Sequence, residues 1–203
     1  MRRTDNDNPP ASGKTAWRAR IRAERAAVPP EQRAEEAAAL SQALAELRAS
    51  TVCAYVPFGT EPGSRGLLDV LRAQTIRVLL PVIPDEPGPL DWAEYGGPDT
   101  LAPGAMPSVL EPTGSRLGPR VVAEADVVLV PALAVDHVGV RLGKGGGYYD
   151  RSLVLAARTT RFVAVVRDSE LVDRLPSEPH DVRVHAAVTP RRGLVHLAER
   201  PEV

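Results

Sequence analysis

The chain has 203 residues, a length that fits one α/β domain, and its 43% hydrophobic content supplies a real core and excludes wholesale disorder. A net charge of -1 gives no global pull toward nucleic acid or an anionic membrane, so neither is expected as a partner. A single cysteine, Cys53, excludes an internal disulfide, and no apolar run is long enough to span a bilayer.

Residues 1–13, MRRTDNDNPPASG, are basic and then polar. They lack the apolar core of a signal peptide, so a disordered tail on a cytoplasmic protein is expected. Ser12 is placed to cap a helix starting near Lys14, with Trp17, Ile21 and Val28 toward one face. Pro29 and Pro30 break it. The alanine-rich run 30–50 predicts a second helix, with acidic residues in its first turns and Leu40, Leu44 and Leu47 on its buried side. The strand TVCAYV, a helix near SRGLLDVLRAQ and the strand TIRVLLPV then form a βαβ unit, so the sheet is expected to be parallel. LDWAEY reads as a further strand, and residues 96–119, dense in Gly and Pro, as a long loop. ADVVLVPAL is an apolar run of the kind found in central parallel strands. A glycine loop follows, then a helix over YYDRSLVLAAR, the strand RFVAVV, and a last strand within DVRVHAAVTP. One domain over 14–197 is expected, with a frayed tail at 198–203.

In open parallel sheets, ligands bind beyond the carboxyl ends of the strands. Two loops meet that condition: Pro57 to Ser64, and Ala134 to Gly147. The second contains RLGKGGGYYDR, with Gly143, Gly145, Gly146 and Gly147 around Lys144. Glycine allows positive φ and close approach of an anion, successive amides form an anion nest, and Lys144 and Arg141 add charge and donors. The pattern is neither a Walker A motif nor GxGxxG in a dinucleotide fold. A plain flexible connector is the competing reading. Only two of the 25 basic residues are lysine, Lys14 and Lys144, so a lysine here is either needed or a leftover.

Asp150, one turn into the next helix, is either a dipole companion paired with Arg151 or a carboxylate that shares Mg²⁺ with phosphates. Tyr148 and Tyr149 are either core or a stacking surface. Glu61 in the first loop is either an exposed turn residue or an anchor for an amino or amide group. His180, Asp181 and His185 match no zinc spacing. Cys53 reads as core.

The run VPALAVDHVGVRLGKGGGYYDRSL, Val130 to Leu153, resembles the signature of the 5-formyltetrahydrofolate cyclo-ligase family. The resemblance extends over most of residues 14–189, through Lys14 and Arg18, YVPFGTEPGS, LPV, LEPTG and PHDVRVHAAVT. It implies a three-layer α/β/α sandwich, Rossmann-like, with a mostly parallel central sheet. It implies ATP- and Mg²⁺-dependent closure of 5-formyltetrahydrofolate to 5,10-methenyltetrahydrofolate, with ADP and phosphate released through a phosphorylated formyl intermediate. Carried over residue by residue, it implies ATP binding by Lys14, Arg18, Arg141, Leu142, Gly143, Lys144, Gly145, Gly146, Gly147, Tyr148 and Tyr149. It implies folate contacts at Val56, Glu61 and the run Lys144 to Tyr148, catalytic roles for Lys144, Arg141 and Tyr148, and Mg²⁺ positions at Asp150 and Asp181. The partners are then small molecules, a reduced folate and ATP, and a monomer is expected. Ser64, His185 and Pro190 depart from the family's usual residues. A non-catalytic binding paralogue and a kinase-like enzyme are the alternatives. The paralogue is disfavoured because Glu61, Lys144 and Asp150 are all present, and the kinase because the sequence places no base for an acceptor hydroxyl.

Overall fold

Residues 13–198 are described by the computed structural model, so the expected tails lie outside the described residues apart from Gly13 and Ala198. Helix α1 (Lys14–Ala27) has Gly13 at its N-cap position and no side-chain cap, and the role expected of Ser12 lies outside the described residues. Pro29 then serves as the N-cap of α2 (Pro30–Leu44), where the missing N–H of Pro30 leaves no bond unmade. Leu40 and Leu44 are buried, and Leu47 packs against the same core from beyond the helix end.

The remaining elements are β1 (Thr51–Cys53), α3 (Gly66–Ala73), β2 (Arg77–Val82), β3 (Asp91–Glu94), β4 (Leu101–Pro103), β5 (Leu110–Pro112), β6 (Val127–Pro131), β7 (Ala134–Asp136), β8 (Arg141–Leu142), α4 (Tyr148–Leu153), β9 (Arg161–Val165), β10 (Leu171–Val172), β11 (Ala186–Thr189) and β12 (Gly193–His196). The main sheet runs β12-β11-β9-β6-β1-β2-β3, parallel throughout except at its two edges. Strand order reverses between β1 and β6, and open α/β sheets bind ligands at such a switch point.

Alternate residues of each strand face opposite layers. Val52, Val78, Leu80, Leu129 and Val165 meet α2 and α3 through Leu40, Leu44, Leu67 and Leu71. Cys53, Leu79, Val128, Val130 and Ala164 meet Val121, Val122 and Leu153 on the other face. The expected three-layer sandwich is therefore the observed one. Helix α1 packs apart from these layers, with Ile21 against Leu133, Val140 and Leu142.

Four local expectations change. Residues 134–142 are not loop but a hairpin, β7–β8, which β10 extends. Asp136, fully buried inside it, accepts hydrogen bonds from the backbone of Val138, Val140 and Leu175, which makes a buried carboxylate tolerable. The Gly- and Pro-rich stretch carries a second hairpin, β4–β5. Strand β12 adds an antiparallel edge after β11. Helix α4 is only six residues long, so its dipole adds little to the glycine loop.

Candidate active site

Loop 57–64 leaves the carboxyl end of β1, and the chain beyond β6 returns through the β7–β8 hairpin to the glycine loop. Both loops open on one cleft of about 810 Å³, at the switch point. Val56, Glu61, Lys14, Arg18, Arg141, Gly143 to Tyr149, Asp150 and Asp181 all line it, although they span most of the sequence. Leu142 is the exception. Its side chain is buried with Ile21 and Leu133, because β8 alternates and Arg141 takes the cleft side.

Glycine is required where the loop turns. Gly147 precedes α4 in the left-handed region at φ 67°, and Gly145 sits at φ 111°, where a side chain is strained. Helix α1 fastens this loop from outside. Arg18 Nε donates to the Gly143 carbonyl at 3.0 Å, and Arg22 Nη2 to the Lys144 carbonyl at 3.4 Å.

The charged groups meet in opposite-sign pairs. Lys144 Nζ lies 2.7 Å from Glu61 Oε1 and 3.5 Å from the centre of the Phe58 ring. The other carboxylate oxygen, Oε2, accepts the Phe58 N–H at 3.0 Å. Arg141 Nη2 donates to Asp150 Oδ1 at 2.6 Å. Lys14 Nζ reaches Asp181 Oδ1 and Oδ2 at 2.9 and 2.8 Å and Glu178 Oε2 at 2.9 Å. Burial alone would lower the Lys14 pKa, but its bonds to Asp181 and Glu178 outweigh this and hold it above its usual value. Burial likewise opposes ionisation of Asp181, and the Lys14 ammonium with the Glu178 N–H overcomes it, holding the carboxyl below its usual value.

Some polar atoms of the cleft wall are unpaired. The hydroxyls of Tyr55 and Tyr149 and the Nε of Arg141 are buried with no hydrogen-bond partner among the described residues. Burial first, and the negative charge of Glu61 next, push both phenols above their ordinary value. Each such orphan costs about 1–3 kcal/mol, and the buried indole N–H of Trp92, outside the cleft, is likewise without a partner among the described residues.

Glu178 was not marked by the sequence reading. Its neighbours His180 and Asp181 were, but the turn that brings the three together is irregular. One ligand atom from each of Glu178, His180 and Asp181 falls within 4.8 Å of the others. Tyr55 and Phe58, within YVPFGTEPGS, and Met106, which no sequence signal marks, also line the cleft.

A sequence profile of the 5-formyltetrahydrofolate cyclo-ligase family matches residues 10–190. The chain belongs to that family. It is 48% identical over 190 residues to the 5-formyltetrahydrofolate cyclo-ligase of Mycolicibacterium smegmatis, covering 91% of this chain and 97% of the relative. It is 32% identical over 178 residues to the enzyme of that name from Escherichia coli, covering 85% and 97%. The fold matches the Aquifex aeolicus 5,10-methenyltetrahydrofolate synthetase at a TM-score of 0.76 and 26% identity, over 94% of this chain and 95% of that one. Membership of the cyclo-ligase family places the protein among ligase-type enzymes, and the cleft at the switch point is its candidate active site.

Proposed function

We propose that the protein closes 5-formyltetrahydrofolate to 5,10-methenyltetrahydrofolate, using ATP and Mg²⁺ and releasing ADP and phosphate. The observation that carries this reading is the Lys144–Glu61 pair, which joins the cationic glycine loop to a buried carboxylate in one cleft. A carboxylate lining the cleft suits the amino and amide N–H groups of a pterin once Lys144 gives up its oxygen. Lys144, Arg141, Lys14 and Arg18 suit a triphosphate.

The formyl oxygen attacks the γ-phosphorus, and the bond to the ADP oxygen breaks. The formyl carbon is then joined to N5 as a phosphorylated imine. The N10 lone pair attacks that carbon, the N10 proton leaves, and the C–O bond breaks to release phosphate. No protein nucleophile is needed. The chain positions the reactants and neutralises charge that spreads over the phosphoryl oxygens. Lys144 joins the glycine loop to Glu61, and Arg141 is buried and oriented by its bond to Asp150.

Asp181 and Glu178, which cluster with His180, and Asp150 in the same cleft offer hard carboxylate oxygens, the donor type that Mg²⁺ takes, so the residues fit that ion in donor chemistry. When bound there, Mg²⁺ neutralises phosphate charge. Arg141 and Lys14 hold two of those carboxylates and fix where their oxygens point.

The test is direct. Protein, 5-formyltetrahydrofolate, ATP and Mg²⁺ are mixed, and the absorbance of the methenyl product is followed. ATP-dependent product formation is expected, and folded protein that makes none overturns the reading.

A further inference from the structure

Behind the Glu61 loop lies a buried ionic network that none of the roles above uses. Arg167, just past β9, donates from Nε to Glu36 of α2 at 2.6 Å and from Nη1 to the Thr60 carbonyl at 3.1 Å. Its backbone N–H donates to Glu170 Oε2 at 2.8 Å. Glu170 in turn takes two bonds from Arg25 of α1, at 2.7 and 2.8 Å, and Arg25 also donates to the Ala132 carbonyl at 2.7 Å. Arg25, Arg167 and Glu170 are all buried. Two arginines and two glutamates balance in charge, so the group is stable where it stands and expensive to break at one member.

The placement matters more than the pairing. Loop 57–64 has no regular structure, and the Phe58 and Glu61 backbone groups bond each other. Its bond from Arg167 to Thr60 falls on the residue directly before Glu61. The same network reaches Ala132 on the cleft wall and α1, the helix that carries Lys14 and Arg18. A planar fork is needed, because one side chain must address a carboxylate and a carbonyl in different directions.

We propose that Arg167 is a positioning residue for Glu61: it anchors the loop so that the carboxylate meets the folate in one fixed place. Arg167 touches neither substrate. The inference rests on the folate role proposed for Glu61.

The test compares wild type, R167K, E61Q and R167K/E61Q in steady-state kinetics. Lysine keeps the charge but not the fork. R167K is expected to raise KM for 5-formyltetrahydrofolate about tenfold or more, since an ångström of misplacement costs on the order of a hundredfold. KM for ATP should rise clearly less than KM for the folate, because the glycine loop keeps its own bonds from Arg18 and Arg22 and feels Glu61 only through Lys144. In the E61Q background R167K should add little. A purely structural arginine predicts the opposite pattern: a lower melting temperature, less active protein, both KM values unmoved, and effects that multiply with E61Q. That pattern, or no change with an active wild type, overturns the inference while leaving the function standing. A wild type without turnover overturns both. Should R167K not fold, E36Q loosens the same guanidinium more gently. A smaller folate-specific rise in KM then supports the inference, and an unchanged KM overturns it.

Discussion

Lys144 and Glu61 hold each other across the cleft at 2.7 Å, with the lysine 42% exposed and the glutamate only 6%. The asymmetry decides what each substitution does. Removing the lysine leaves a buried carboxylate with a single backbone donor, Phe58 N–H. Removing the glutamate leaves a lysine that turns to solvent. K144M should therefore be the more destabilising of the two against urea. The coupling measured with E61Q and the double variant should be on the order of 1 kcal/mol. In turnover, K144A should lose a charge-assisted contact worth about 1.5–3 kcal/mol, roughly ten- to a hundredfold in rate. A K144A enzyme with wild-type rate would show the lysine to be a leftover.

With ATP on the glycine loop and folate on Glu61, as proposed, the same pair would link the two substrates. Phosphate that draws Lys144 away exposes the Glu61 carboxylate, and a pterin on Glu61 releases Lys144. Each ligand then removes a cost the other would meet, so binding is expected to be synergistic. Calorimetry should find 5-formyltetrahydrofolate bound about fivefold or more tightly in the presence of a non-hydrolysable ATP analogue with Mg²⁺. In K144M the gain should vanish, and a gain that persists there assigns the coupling elsewhere.

Asp150 carries a second dependence. It accepts from Arg141, whose side chain is buried, and more weakly from the Val182 N–H at 3.4 Å. D150N removes the charge but keeps an acceptor for Arg141. The expected result is a folded enzyme whose activity needs more Mg²⁺, since a neutral amide is a poorer ligand for a hard ion. An unchanged Mg²⁺ titration counts against the metal role and leaves Asp150 as the orienting partner of Arg141.

The Lys14–Asp181 pair sets a pH window for stability. Lys14 is held above its ordinary 10.5, so its contribution is complete below that value and fades as pH rises through the folded value. Asp181 is held below its ordinary 3.8, so its contribution is complete above that value and fades as pH falls through the folded one. Their overlap covers neutral pH. The melting-temperature deficit of K14M should thus be flat from about pH 5 to pH 9 and shrink in stronger acid. A deficit that grows on acidification would mean Lys14 acts through something other than these carboxylates.

Much of this was legible in the sequence, and unevenly so. The apolar run 127–131 and the βαβ pattern announced the central strands, because a parallel strand is buried on both faces. The β7–β8 hairpin was hidden, since its turn and its buried Asp136 both look like loop. The scarcity of lysine pointed at Lys14 and Lys144, and both line the cleft. Nothing pointed at Arg25, Arg167 or Glu170. In an arginine-rich chain a buried guanidinium cannot be told from a surface one until the chain brings its partner from 145 residues away, as it does for Arg25.

Two glycines of the signature segment separate folding from binding. Gly139 turns β7 into β8 at φ 80°, and a Cβ there would drive into the Val184 carbonyl oxygen. That backbone cannot yield freely, because Val184 N–H donates to the Gly139 carbonyl at 2.9 Å. Left-handed strain and a backbone clash act together, so G139A should cost about 2–4 kcal/mol and give poorly soluble protein. Gly145 is different. At φ 111° an alanine is strained, but its Cβ would meet only the Arg18 guanidinium carbon at 3.6 Å, so space remains. The loop relaxes instead, at a cost of about 1–2 kcal/mol, and its amides turn away from the phosphates. G145A should melt within a few degrees of wild type and show a KM for ATP raised roughly tenfold, the worth of one charge-assisted hydrogen bond. If G145A keeps its ATP affinity, the nest is not where the phosphates sit, and the lysine and arginine side chains bind them alone.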